Sequence, residues 1–163
     1  GLRMGLRASD IANLKLTDIS WSENSISFIQ QKTGVHLKLP LPIDVGNSLY
    51  RYICEGRPKS NSYHVFIHHR APYCKFRSYA FGRILNAVVT ADCGSEPING
   101  FHVTRKTFAS KLLATGNSIT SISAALGHVG VHTVDEYLAT NEEQMRLCAI
   151  GLKGIEYSGR FDL

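Results

Sequence analysis

Residues 25–40 read SISFIQQKTGVHLKLP, and this stretch contains two β-strand patterns separated by a short polar turn. Ser25–Gln30 is rich in residues that favour strands, and in Val35–Leu39 apolar and polar side chains alternate strictly. The residues between them, Lys32-Thr33-Gly34, have the polar and glycine character of a turn. The sequence therefore predicts a β-hairpin with a lysine at its tip.

The chain on the C-terminal side of the hairpin is predicted to be mainly helical. Pro40 and Pro42 end the sheet, and apolar residues then recur at helical spacing over Val45–Ile53. A loop over Glu55–Ser62 and a short strand near His64–His68 lead to a longer helix. The buried face of that helix is predicted to carry Phe76, Tyr79, Ala80, Ile84, Ala87 and Val88.

The last third of the chain reads as shorter helices. Asp92–Gly100 interrupts the long helix, and Gly116 and Gly127 stand where a glycine with positive φ would end each of the next two. Asn141 is placed to cap a further helix. The fold class expected is α+β, mainly α-helical, with a small antiparallel sheet near the N-terminus.

The residues before the hairpin are also expected to be helical. Ser9 precedes Ile11 and Leu14, an apolar pair at helical spacing, so Arg7 is predicted to lie at a bend between two helices. Because Gly1 already falls within the first of these helices, we expect the chain to be a fragment of a longer protein.

Composition limits the class of protein. A chain of 163 residues with 44% hydrophobic residues suits one compact domain, and its formal charge of +5 favours an anionic partner. The four cysteines are irregularly spaced and predict neither a zinc ribbon nor a disulfide framework. Runs of about 18 apolar residues, which a membrane span needs, are absent from the sequence. We expect a soluble, cytoplasmic protein.

Four residues of the C-terminal half are ordered in a way that suggests a site. His102 and Arg105 are three residues apart in a predicted helix, so one anion could contact both side chains. His128 follows Arg105 by 23 positions, and Tyr137 follows His128 by nine. Each interval leaves room for one helix and a tight turn.

This order, taken with two upstream motifs, resembles that of the tyrosine recombinase (phage integrase) family. The motifs are Gly5-Leu6-Arg7-Ala8-Ser9-Asp10-Ile11 and Gln31-Lys32-Thr33-Gly34, and the resemblance extends from Gly5 to about Tyr137. It implies an integrase-type catalytic domain over residues 1–163, without the N-terminal core-binding domain that completes the clamp around DNA in the family.

The resemblance implies an enzyme that recombines DNA site-specifically. Members cut one strand of double-stranded DNA through a 3′-phosphotyrosyl intermediate and exchange strands within a synaptic tetramer. Carried over by motif, Tyr137 would be the nucleophile, and Arg7 and Arg105 would bind the phosphate. Two guanidinium groups suit this role because in-line attack places additional negative charge on the non-bridging oxygens.

The remaining motif residues would handle protons and orientation. Tyrosine has an ordinary pKa of about 10, so a neighbouring base is needed at neutral pH, and His102 is the predicted proton acceptor. Lys32 would protonate the leaving 5′-oxygen as a general acid. His128 would hydrogen-bond a non-bridging oxygen and help to orient the tyrosine. No metal, cofactor or ATP is expected.

A second group of residues raises the alternative of a metal site. His64 and His68 have the i, i+4 spacing of some zinc ligands, with His69 and Cys74 nearby. That spacing aligns ligands only on a helix, whereas this segment is predicted to be extended. We therefore expect a polar edge that faces DNA or solvent.

Two positions depart from the common family pattern. Lys106 stands where many members have histidine, and Val129 where a small hydroxyl residue is frequent.

Other functions stay open. The alternatives are a catalytically silent DNA-binding module of the same fold and a type IB topoisomerase-like relaxing activity. Residues 141–163 are predicted to dock on a neighbouring subunit or to pack within their own chain.

Overall fold

A computed structural model describes residues 1–93 and 100–127 of the chain. Within these ranges the protein is mainly helical, with a small antiparallel sheet near the N-terminus, which confirms the predicted fold class. The elements are α1 Ala8–Asn13, a 3-10 turn Leu16–Asp18, β1 Ile19–Ser20, β2 Ser25–Ile29, β3 His36–Pro40, α2 Ile43–Arg51, a π-helical turn Tyr52–Gly56, α3 Ser78–Cys93, α4 His102–Ala114 and α5 Ile119–Leu126.

The predicted hairpin forms two of the three strands of the sheet, with β2 in the centre and β3 at one edge. Its strands β2 and β3 pair antiparallel, from Ser25 opposite Pro40 to Ile29 opposite His36. The third strand, β1, pairs with the first residues of β2 and was not predicted. Two residues are too few to show an alternating pattern.

Arg7 lies at a bend, as predicted, but a full helix does not precede it. The N–H of Gly5 donates to the carbonyl of Gly1 over 2.7 Å, which makes a single helical turn. Gly5 then adopts a φ of +61°, and the chain is extended at Arg7 before α1 begins at Ala8. The left-handed φ at Gly5 therefore interrupts the predicted first helix.

The predicted strand near His64–His68 is reduced to isolated bridges. His64 pairs with Lys15, and Ile67 pairs with Lys75. The guanidinium of Arg57 donates to the carbonyls of Ser62, His64 and Val65. A side chain thus occupies backbone acceptors that a continuous strand would have used.

The predicted buried face of α3 was wrong at four of its six residues, since only Phe76 and Ala80 are half-buried. Tyr79, Ile84 and Val88 are 65%, 49% and 52% exposed, whereas Phe81 faces inward. The ring of Phe81 lies 5.3–5.8 Å, centroid to centroid, from three other aromatic rings, those of Phe66, Phe76 and Phe101. This aromatic cluster sets the rotation of the helix.

The buried apolar residues form two clusters. The larger one packs the sheet against α1 and α2, and the smaller one joins α4 to α5 through Ala109, Leu113, Ile122 and Leu126. Gly116 and Gly127, which follow these two helices, have φ values of +82° and +64°, as predicted. Of the helices in the two described ranges, none has the length and apolar character to cross a bilayer.

The two helix-terminal glycines provide a matched pair of substitutions. A Cβ at position 116 would contact nothing within 4 Å, whereas a Cβ at position 127 would lie 2.6 Å from Oε1 of the buried Gln30. Gly116→Ala should lower the free energy of unfolding by roughly 1–2 kcal/mol, the cost of a left-handed residue with a side chain. Gly127→Ala should lower the free energy of unfolding by more. Urea denaturation followed by circular dichroism measures both losses. Equal losses would contradict this account.

Candidate functional site

Four of the six predicted site residues line one pocket. Arg7 comes from the start of α1, Lys32 from the hairpin turn, and His102 and Arg105 from the first turn of α4. The pocket has a volume of about 510 Å³ and is closed on another side by the first turns of α3. His128 and Tyr137 lie outside the described residues, as does the predicted docking segment 141–163, and their placement stays a prediction.

Arg105 is the most buried of the four side chains, with 4% of its surface exposed. Its Nη1 donates to the carbonyl of Gly5 over 2.7 Å, and its Nη2 donates to the carbonyl of Leu126 over 2.9 Å. One guanidinium therefore joins α4 to the segment before α1 and to the end of α5. Because a buried cation is costly without hydrogen-bond acceptors, these carbonyls hold the side chain in one orientation.

Arg7 lies beside a buried carboxylate. Its Nη1 is 3.9 Å from Oδ2 of Asp10, beyond hydrogen-bonding distance, and neither of these buried atoms has a hydrogen-bond partner among the described residues. A buried donor without an acceptor costs free energy. Arg7 thus lines the pocket with its Nη1 held near Asp10 but not hydrogen-bonded to it.

Asp10 is a site residue that the sequence analysis quoted in a motif but did not assign a role. Its Oδ1 accepts a hydrogen bond of 3.0 Å from the backbone N–H of Gln31, next to Lys32. The carboxylate thus links Arg7 to the hairpin turn. The available signal was an opposite charge three residues after Arg7 at the start of a helix, the spacing at which side chains meet.

His102 and Lys32 are exposed at the same pocket. His102 is the first residue of α4, three positions before Arg105, so both side chains reach the pocket as the helical spacing predicted. Lys32 reaches it from the turn that Asp10 anchors. Exposure leaves both groups accessible to a ligand from solvent.

The charges around the pocket favour an anion. The described lining residues include two arginines, a lysine and a histidine, and none of them is a carboxylate. Tyr79, predicted to be buried, is exposed and is one of the residues that line the pocket. Several cations converging on one concave surface attract and orient a negatively charged group.

The histidines considered as metal ligands contact different aromatic rings. The ring of His68 is 5.0 Å from that of Phe76, and the ring of His69 is 6.2 Å from that of Tyr52. Burial, followed by the nearby Lys75 and Lys15, lowers the pKa of His64 below its ordinary value. In the part of the chain that the structure describes, His, Cys, Asp and Glu side chains form no group that could hold a metal ion.

Comparison with known proteins gives consistent matches. Residues 2–144 match the phage integrase family. Two putative integrase/recombinases of Sinorhizobium fredii (strain NBRC 101917 / NGR234) are similar to the chain. The first, y4rA, is 33% identical over 153 residues, covering 93% of this chain and 37% of y4rA. The second, y4gC, is 32% identical over 157 residues, covering 94% of this chain and 80% of y4gC.

The fold is also found in a solved structure. The crystal structure of XerA recombinase superposes with a TM-score of 0.76 at 22% sequence identity, covering 96% of this chain and 56% of the XerA chain. The described fold is thus the integrase-type fold that the sequence predicted. The chain spans only about a third of y4rA but four-fifths of y4gC.

The buried position of Arg105 predicts a stability effect that exposed pocket residues lack. Arg105→Met keeps much of the side-chain length but removes the donors to the carbonyls of Gly5 and Leu126. We expect the free energy of unfolding to fall by about 1–3 kcal/mol, because the carbonyl of Gly5 loses its donor from Arg105 and the carbonyl of Leu126 keeps only its hydrogen bond from Gln30. His102→Ala, an exposed residue of the same helix, should change it by less than about 0.5 kcal/mol. Urea denaturation of both variants tests this difference.

Proposed function

Because the chain belongs to the phage integrase family, we propose that it cleaves and rejoins DNA strands through a covalent phosphotyrosyl intermediate. The observation that carries the proposal is the convergence of Arg7, Lys32, His102 and Arg105 on one pocket. These residues come from three separate parts of the chain. The pocket is cationic, and a backbone phosphate is the anion that such a site would hold.

Double-stranded DNA is the proposed substrate. The net charge of +5 supports a polyanionic partner, and two arginines, Arg7 and Arg105, line the pocket. Arginine keeps its charge at all relevant pH values and presents donors in a fixed planar arrangement. Arg7 and Arg105 would hold the non-bridging oxygens while negative charge builds up on them.

The proposed reaction is an in-line substitution at phosphorus. The phenolic oxygen of Tyr137 forms a bond to the phosphorus, and the bond from phosphorus to the 5′-oxygen breaks. His102 accepts the phenolic proton, and Lys32 donates a proton to the departing 5′-oxygen. His128 would hydrogen-bond a non-bridging oxygen. The products are a 3′-phosphotyrosyl ester and a free 5′-hydroxyl.

The ester retains the energy of the broken phosphodiester. Attack by a 5′-hydroxyl on the ester therefore reseals the strand without ATP, and attack by the 5′-hydroxyl of a second duplex exchanges strands. Exchange requires several copies of the chain on two duplexes, so we include a tetramer on synapsed DNA in the proposal. A cytoplasmic location follows from the same role.

The nucleophile can be tested by trapping the covalent intermediate. A pool of duplexes with randomised sequence and a nick placed to release a short fragment on cleavage would be incubated with excess protein. Wild type should form DNA adducts that survive boiling in SDS, because the released fragment cannot religate. Tyr137→Phe should form none, since it lacks the attacking hydroxyl. Peptide mapping of the adduct should identify Tyr137.

Tyr79 provides the control for this experiment, because it is an exposed tyrosine among the residues that line the pocket. Tyr79→Phe should still form the adduct. Adducts that persist in Tyr137→Phe and vanish in Tyr79→Phe would assign the nucleophile to Tyr79. A wild-type chain that yields no adduct from any duplex in the pool would refute the proposed cleavage.

The general-acid role of Lys32 predicts rescue by a better leaving group. Lys32→Ala should slow cleavage of a duplex recovered from the pool by roughly 10²–10⁴-fold. A duplex with sulfur in place of the bridging 5′-oxygen should be cleaved at close to the wild-type rate, because a thiolate leaves without protonation. Lys38→Ala removes an exposed lysine of the same hairpin that pairs with Glu23, and should leave both rates unchanged. A Lys32→Ala defect of equal size on both duplexes would argue against the role.

A further inference from the structure

Gln30, the residue that follows β2, closes the turn that carries Lys32. Its backbone N–H donates to the carbonyl of Val35, and its own carbonyl accepts from the N–H of Gly34, both over 2.9 Å. Its side chain is nevertheless buried, since only 1% of the surface of the residue is exposed. A buried amide must be satisfied at both of its polar atoms.

Both ends of the Gln30 amide are used. Its Nε2 donates to the carbonyl of Leu126 over 2.9 Å, across 96 positions of sequence, and its Oε1 accepts from the hydroxyl of Thr33 over 2.7 Å. The side chain therefore holds the hairpin turn from within and attaches it to the end of α5. A carboxylate could not donate to the carbonyl, and an amine could not accept from the hydroxyl.

The carbonyl of Leu126 is shared with the active-site arginine. It accepts from Nη2 of Arg105 as well as from Nε2 of Gln30, each over 2.9 Å. Leu126 is the last residue of α5, where carbonyls lack intrahelical partners, so both donors satisfy an otherwise open acceptor. His128 follows two residues later in the sequence.

Resting on the proposed function, we propose that Gln30 is a positioning residue that couples the Lys32 turn to Arg105 and to the backbone leading to His128. Without Gln30, the positions of the Lys32 turn, of Arg105 and of the backbone leading to His128 would be set by three separate segments of the chain. Gly127 fits this role, because a Cβ at that position would collide with the Gln30 side chain. Thr33 contributes to the same coupling, since its hydroxyl donates to Oε1 of Gln30 and thereby fixes the orientation of the amide.

A purely structural role is the competing interpretation. A buried amide that only caps α5 would affect stability, and any loss of activity would be the same for every leaving group. A positioning residue predicts a selective loss at the step that needs Lys32. Misplacing a catalytic group by about 1 Å can cost on the order of a hundredfold in rate.

The test uses three substitutions at the amide and its partner hydroxyl. Gln30→Glu keeps the shape but removes the donor to Leu126, Thr33→Val removes the hydroxyl, and Thr33→Ser restores it. Gln30→Glu and Thr33→Val should slow cleavage of the ordinary duplex by about ten- to hundredfold. The 5′-sulfur duplex should recover most of that loss, and Thr33→Ser should resemble wild type on both duplexes.

Amide hydrogen exchange of the full 163-residue chain provides a readout that does not depend on cleavage. Thr33→Val should increase exchange at least threefold both in the turn at residues 31–34 and in residues 126–128. Increased exchange confined to the turn would overturn the coupling, as would an equal slowing of cleavage on both duplexes. If Gln30→Glu fails to fold, Thr33→Val and Thr33→Ser carry the same comparison.

The outcome for the proposed function is separate. A wild-type chain without a Tyr137 adduct refutes the cleavage reaction and with it the role of Gln30 in that reaction. A wild-type chain that forms the adduct, with unaltered rates and exchange in Thr33→Val and Gln30→Glu, refutes the coupling alone.

Discussion

The guanidinium of Arg105 is the contact on which the arrangement of the site depends. It is buried and donates to the carbonyls of Gly5 and Leu126, so it connects the segment before α1, the helix α4 and the end of α5. The segment before α1 can approach α4 this closely because Gly5 has no Cβ. A Cβ at this position would collide with the side chain of Phe108. Since a buried cation requires its acceptors, the positions of these three segments are set together rather than independently.

Much of the fold followed from local sequence patterns. The hairpin was predictable because its alternation and turn lie within 16 consecutive residues, and the positive φ of Gly116 and Gly127 followed from their places after apolar helical stretches. The rotation of α3 was not predictable from its own sequence. It is set by Phe81, which meets rings from segments before and after the helix, and the apolar residues of α3 fit more than one face.

Four of the six predicted site residues line one pocket, but the contacts that support them were not predictable from the sequence. Helical spacing was enough to bring His102 and Arg105 to one pocket, because that relation is local. The contacts of Asp10 with the hairpin turn and of Gln30 with Leu126 span 21 and 96 positions. Hydrophobic periodicity indicates local structure only, so it cannot predict contacts between residues so far apart in the sequence. A glutamine before a turn also looks the same in the sequence whether it is exposed or buried.

The way in which the two arginines are held has an electrostatic consequence. Arg105 is oriented by neutral backbone carbonyls, which satisfy N–H groups without cancelling its formal charge. Arg7 is placed near a carboxylate, but the 3.9 Å separation from Asp10 leaves its Nη1 without a hydrogen bond. The Asp10 carboxylate already offsets part of the Arg7 charge at this distance, and closer pairing would offset more. Arg105 is thus held in one orientation with its positive charge intact, and the proposed reaction would use that arrangement because charges that stabilise a transition state must be in place before it forms.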